Sequence, residues 1–257
     1  MTLLIQQKEH IQEVIKTCLR NKFQNYKPES SNMPFHYRLL GRDRMALYSF
    51  MQSLITTFGA SIFEPAAVAL AKDRFIKANA QYKLGNKISE NCQQAIQKIM
   101  NNLTVGGNPN KPEEIGLLRE SITRDKINEL KTVKVDLFLE NNKGEIFLFD
   151  LKTVKPNLGD FKDFKRMLLE WAGIILTENP KMKVNTLIAI PYNPYAPNPY
   201  ERWTLKGMLD LEHELKVAEE FWDFLGGEGA YEDLLDCFEQ VGIEMREEID
   251  EYFSRFK

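Results

Sequence analysis

Three cysteines in 257 residues are too few and too scattered for a zinc ribbon or a disulfide framework, since Cys18, Cys92 and Cys237 form no C-x-x-C pair. They read as buried or half-buried thiols. Histidine is equally scarce: His10, His36 and His213 lack partners at metal-ligand spacing, which disfavours a zinc hydrolase or a histidine-metal nuclease. No stretch approaches the ~20 uninterrupted apolar residues of a membrane span, and the first residues carry Gln, Lys, Glu and His where a signal peptide has its apolar core. A cytoplasmic location without a membrane partner is expected. The glycine-rich residues 225–229 lack the Lys-Ser/Thr ending of a phosphate-binding loop, which leaves no case for a nucleotidase. Internal repeats and low-complexity segments are also missing.

What is present suffices for a substantial core, with 43% hydrophobic residues. The net charge of −3 conceals an asymmetry: residues 210–257 hold 16 Asp and Glu against 4 Lys and Arg, while residues 1–209 hold 30 bases against 21 acids. An acidic helical tail is often only a solvated surface. The same asymmetry also suits a molecule whose first four-fifths meets phosphates.

Apolar residues at helical spacing predict a helix over residues 3–26, ended by Pro28 and the Ser-rich segment after it. Asp43 can cap a second helix reaching Phe58, a third begins after Gly59 near Glu64 and Pro65, and a fourth runs from Ser89 to about Leu103. Residues 106–112 read as a loop. The period then changes, and residues 132–140 and 145–151 read as a hairpin turned by Asn141, Asn142, Lys143 and Gly144. Residues 161–176 predict a helix, 184–190 a buried strand, 191–199 a loop rich in Pro, Asn and Tyr, and the remainder after Leu205 helices. One α/β domain follows: a mainly helical part (1–125), a sheet core with an adjoining loop (126–204) and an acidic helical part (205–257), the small sheet flanked by helices.

The hairpin carries the chemistry. It places Asp136 on its first strand and Asp150 and Lys152 near the end of its second, where residues two apart share a face. Two carboxylates offer the oxygen ligands that Mg²⁺ prefers, with the Leu151 carbonyl as a third, and Lys152 can hold an attacking water. Such a set serves phosphodiester hydrolysis. An isolated Asp-x-Lys is more often a surface ion pair, worth roughly 0.2–1 kcal/mol. Here Phe147, Leu148 and Phe149 run directly into it, and charge emerging from a core strand calls for a metal or substrate nearby.

Asp136, thirteen intervening residues and Asp150-Leu151-Lys152 together resemble the PD-(D/E)XK nuclease superfamily, with Val135 standing where the motif has proline. This resemblance implies a restriction-endonuclease-like core and a further glutamate from a preceding helix, matched by Glu64 in IFEPAAVALAKDRF. The blocks PFHYRLLGRDRMALYSFMQSLITTFGASIFE, FDLKTVKPN and IPYNPYAPNPYERW look similar to the TdeIII-type restriction endonucleases. That similarity implies a type II enzyme acting on double-stranded DNA, usually as a homodimer, cutting both strands of a short GC-rich palindromic-type site, GGNCC-like, and leaving 5′-phosphates. A structure-specific or repair nuclease of the same superfamily, or a catalytically silent DNA-binding protein, stays open at this point.

Further DNA-contact candidates lie around this core. Lys155 and Asn157 follow Lys152 closely, and Lys134 precedes Asp136; exposed lysines of this kind are equally often solvated charge. Arg38, Arg42 and Arg44 cluster around Gly41 where a helix begins, suited to phosphate or guanine contacts and equally to surface salt bridges. Asn193, Tyr195 and Arg202 sit in the loop beyond the third strand, where ligands collect in α/β folds. Asn and Arg can read base edges; a Pro-rich structural loop pinned by aromatics is the alternative.

Overall fold

Segments with clear apolar periodicity fold where the pattern places them. The computed structural model describes residues 3–26, 33–123, 126–152, 161–200 and 207–255. Helix α1 (Ile5–Asn25) buries Ile11, Ile15 and Cys18, spaced i, i+4 and i+7. Next come α2 (Pro34–Leu40) and α3 (Arg42–Phe58), separated at Gly41, whose φ of +92° disfavours a side chain. The helix does not stop at Gly59, because a π-helical turn, Gly59–Phe63, carries it straight into α4 (Glu64–Ala71). Length and composition alone would let the run Arg42–Ala71 cross a membrane. Its last part is core, with Ala66, Ala67 and Leu70 fully buried.

Strand β1 (Lys77–Ser89) has no counterpart in the sequence reading, being polar, glycine-containing and bent by two register shifts around Gly85. Helix α5 (Glu90–Thr104) is capped by the Ser89 hydroxyl, which accepts the Cys92 N–H at 3.2 Å. Helix α6 (Lys111–Ser121) begins inside the expected loop, capped by the Asn110 side chain. The hairpin then forms from β2 (Ile127–Glu140) and β3 (Ile146–Leu151). Its turn is held by Asn141, whose side-chain oxygen accepts from the N–H groups of Lys143 and Glu145, and by Gly144 at φ +71°. The chain continues through α7 (Phe161–Glu178), β4 (Val184–Ile190), α8 (Leu211–Glu214), β5 (Leu215–Val217), α9 (Glu219–Gly226), α10 (Ala230–Glu244) and α11 (Arg246–Ser254).

The strands form one mixed sheet in the order β1-β2-β3-β4-β5, antiparallel up to β3 and parallel from β3 onward. The sheet therefore recruits β1 and β5 from the two parts read as helical. One face packs Val135, Phe138, Leu148 and Ile188 against α5, α6 and α7. The other packs Leu137, Leu139, Phe149 and Leu187 against α1, α4, α9 and α10. This is a mixed α/β architecture of the restriction-endonuclease-like kind, a small sheet flanked by helices. All three cysteines are buried.

Part of the acidic tail pairs with bases on the chain's own first helix. Asp233, Glu244 and Glu248 pair with Lys8, Lys16 and Arg20 along α1 at 2.6, 2.6 and 2.7 Å. A second ionic group is fully enclosed: Glu214 receives Lys111 at 2.8 Å and Lys165 at 2.6 Å, and Lys165 also meets Glu114 at 2.5 Å. Burial works against the charge on Glu214, yet the two ammonium groups hold its carboxyl below the usual range.

Candidate active site

Strands β3 and β4 are parallel, so their carboxyl ends emerge side by side, with Leu151 opposite Ala189 and the Lys152 N–H bonded to the Ala189 carbonyl at 2.9 Å. Asp150 and Lys152 stand at this end. Asp150 is only 5% exposed. The Lys152 ammonium donates to Asp150 Oδ1 at 3.0 Å and lies 2.9 Å from Oδ2, a buried oxygen that accepts no well-formed hydrogen bond among the described residues. Asp136 reaches across from β2, its Oδ2 accepting the Leu151 N–H at 2.9 Å. The side chain of Asp136 is thus turned toward the β3 end.

Glu64 enters from the first turn of α4, where the π-helical turn delivers it, and is 3% exposed. Gln81 of β1 donates through Nε2 to both Glu64 oxygens, at 3.0 and 2.9 Å, and to Asp136 Oδ1 at 3.3 Å. Burial pushes the Glu64 carboxyl up to about 7; the Gln81 amide pulls it back, and the charges of Asp136 and Asp150 push it further up. Asp150 is raised to about 6, chiefly by burial, against the pull of Lys152. Lys152 is one-third exposed and lies 5.0 Å from the Phe164 ring centroid, a cation–π contact that fixes its direction.

Four of the candidates therefore meet. Among the described residues no three His, Cys, Asp or Glu side chains stand close enough to hold an ion as they are. The chemistry of the donors nevertheless fits a hard divalent cation: carboxylate oxygens, one of them buried and without a hydrogen bond among the described residues.

The model of the HinfI type II restriction endonuclease family matches residues 4–242. The chain belongs to that family. Type II restriction endonucleases are site-specific deoxyribonucleases, and the fold, the polar cluster and the family agree. Among relatives, this endonuclease is 27% identical over 220 residues to the type II restriction enzyme HgiCII of Herpetosiphon aurantiacus, covering 84% of this chain and 80% of the relative. HgiEI of the same organism matches at 27% over 84% of this chain and 79% of its own length. MjaII of Methanocaldococcus jannaschii is 28% identical over 240 residues, covering 82% of this chain and 63% of the relative.

The remaining candidates fall elsewhere. Lys155, Asn157 and Arg202 lie outside the described residues. Lys134 is exposed on β2, opposite Lys83. Arg38, Arg42 and Arg44 are carried on α2 and the start of α3, and Arg42 lies about 30 Å along the helical run from Glu64 at 1.5 Å per residue. Arg42 stacks on Tyr37 and Arg44 donates to the Leu40 carbonyl, so the structure does not bring them to the carboxylates. The loop after β4 leaves the sheet beside Lys152, but Asn193 uses both ends of its amide there: Nδ2 donates to the Asn198 carbonyl at 2.8 Å and Oδ1 accepts the Tyr195 N–H at 2.9 Å. In this arrangement Asn193 shapes its own loop, and Tyr195 packs against Tyr200. Gln81 is the site residue that the sequence concealed, since a neutral amide in an unrecognised strand carries no charge or spacing signal.

Two raised carboxylates dictate a pH response. The metal-free folded state retains protons on Glu64 and Asp150 that the unfolded chain releases near pH 4, so the stability they contribute is complete below that pH and is lost as pH rises through about 6 and 7. Glu64→Gln should flatten this fall in melting temperature between pH 5 and pH 8 in chelator, read by calorimetry. A mutant profile as steep as wild type would refute the assignment.

Proposed function

We propose that this endonuclease is a PD-(D/E)XK enzyme in which Asp136, Asp150 and the Leu151 carbonyl hold Mg²⁺, Lys152 orients the attacking water and Glu64 assists the metal or the lysine. What supports the reading is the convergence of Glu64, Asp136, Asp150 and Lys152 at the open end of β3, three carboxylates and one ammonium from three separate elements. When bound, the cation would stabilise charge developing on the phosphate and ease deprotonation of water. Lys152 keeps an ammonium at the mouth of the site, tethered to Asp150 and aimed by Phe164, where it can hold a water against a phosphate. Phe147, Leu148 and Phe149 give the strand behind it a dry, rigid footing.

The substrate is double-stranded DNA, cut in both strands at a short GC-rich palindromic-type site of the GGNCC kind to leave 5′-phosphates, in the cytoplasm. Similarity of the three sequence blocks to TdeIII-type enzymes supports that target. Lys155, Asn157, Lys134 and Arg202 are the DNA contacts we assign around the cut, with Arg38, Arg42 and Arg44 farther along the duplex. Plasmid incubated with Mg²⁺ should give discrete fragments whose sequenced ends share one motif. End or junction preference would instead favour a repair enzyme, and intact plasmid a silent binding protein.

Cutting both strands of a symmetric site calls for two active sites, which a homodimer supplies. The face we assign to the second copy is α2 with α3, where Phe35, Leu39, Tyr48 and Ile55 stand exposed, an apolar patch that monomers seldom show. Leu39→Glu should convert a dimer to a monomer by light scattering. A monomeric wild type, or an unchanged mass in the variant, would remove that assignment.

A further inference from the structure

Gln81 lies in β1 at a φ of +50°, a backbone conformation that side-chain-bearing residues adopt rarely and at a cost. Strain of this kind persists where something nearby requires it. The side chain itself is exposed, yet its amide reaches inward and caps a carboxylate that is almost wholly buried, donating to both oxygens of Glu64 and to Asp136 Oδ1. Glycine would relieve the backbone, and asparagine tolerates positive φ, but neither can span this distance with an amide.

We propose that Gln81 is a gate on the cation site: its amide occupies the Glu64 and Asp136 oxygens in the metal-free protein, and it must withdraw into solvent for a divalent cation to reach them. The inference rests on the reading of Asp136 and Asp150 as cation ligands assisted by Glu64. An N–H donor and a cation compete for the same lone pairs, so each hydrogen bond to these oxygens opposes cation entry. The amide also separates like charges that would otherwise face each other at close range, which accounts for carboxylates that gather without closing into a finished ligand set. An exposed side chain swings out without disturbing the core, and so the gate can open on its own.

The test is calorimetric titration of the full chain with Mg²⁺ and with Ca²⁺. Gln81→Gly, which suits the backbone and leaves the oxygens bare, should tighten binding about tenfold, the scale of a hydrogen bond to a charged group. Gln81→Asn should do the same and provides the comparison should the glycine variant fold poorly. Asp150→Ala separates the two ideas: if it binds cation as wild type does, the ligand assignment fails. If Asp150→Ala loses binding while both Gln81 variants bind with wild-type or weaker affinity, the gate alone fails. A purely structural Gln81 would lower the metal-free melting temperature and leave the cation Kd unchanged.

Discussion

Asp150→Ala should lower the rate of DNA cleavage on the order of 10³-fold or more while leaving the protein at least as stable as wild type. The first half follows from the position of Asp150 at the centre of the cluster, between Lys152 and Asp136. The second half follows from its energetics. A carboxylate 5% exposed, with one oxygen accepting no hydrogen bond among the described residues, is a desolvated charge that the fold tolerates instead of using, and its removal relieves Glu64 and Asp136 of a like charge. Lys152→Ala should cost as much activity but not gain stability, because Asp150 then loses the ammonium that opposes its burial. Cleavage assays under excess enzyme, paired with melting curves, read both quantities. Specific cutting by either variant, or a large drop in stability for Asp150→Ala, would overturn the assignment.

Glu214→Ala should do the reverse, destabilising the protein by about 3–5 kcal/mol without touching the reacting groups. Glu214 is completely buried and holds Lys111 at 2.8 Å and Lys165 at 2.6 Å, while also accepting the Asp210 N–H at 2.9 Å. Without it, among the described residues, Lys111 keeps the Thr186 hydroxyl at 2.7 Å and Lys165 keeps Glu114. Two ammonium groups would then share one carboxylate in a medium that penalises unpaired charge. For a chain of this size the melting temperature should fall by about 10 °C. A fall of under about 2 °C would show that the network contributes little beyond its own desolvation cost. The expected opposition between the two variants, activity without stability and stability without activity, is what separates a working site from a structural one.

Strand β4, the hairpin and α7 were legible because each is an apolar pattern bounded by turn residues: five of the seven residues of 184–190 are aliphatic, and Asn141 to Gly144 supplies the turn. β1 escaped for the opposite reason. It is an edge strand, polar on most of its length and interrupted by Gly85 at φ +118°, so neither alternation nor β-propensity marks it. α6 was hidden behind two prolines and two glycines that do open with a loop, but Pro112 then sits in the first turn of a helix, a position proline favours. At the site, Asp136, Asp150 and Lys152 declared themselves through charge abruptly following core residues. Glu64 came through family resemblance, and its placement depends on a π-helical turn that no local pattern announces. Asn193 illustrates the converse, since a side chain suited to reading bases is equally suited to closing a turn, and the structure shows it closing one.

The wide turn at Gly59–Phe63 also sets an angular phase. Successive residues of an α-helix step around its axis by about 100°, so one residue removed from this turn would rotate everything beyond it by that amount. α4 would then present Ala66 or Pro65 toward the sheet end and point its glutamate along a different bearing. The length of five residues between α3 and α4 thus works as a timing element, and a single-residue deletion there should silence the third carboxylate without altering any residue that touches DNA.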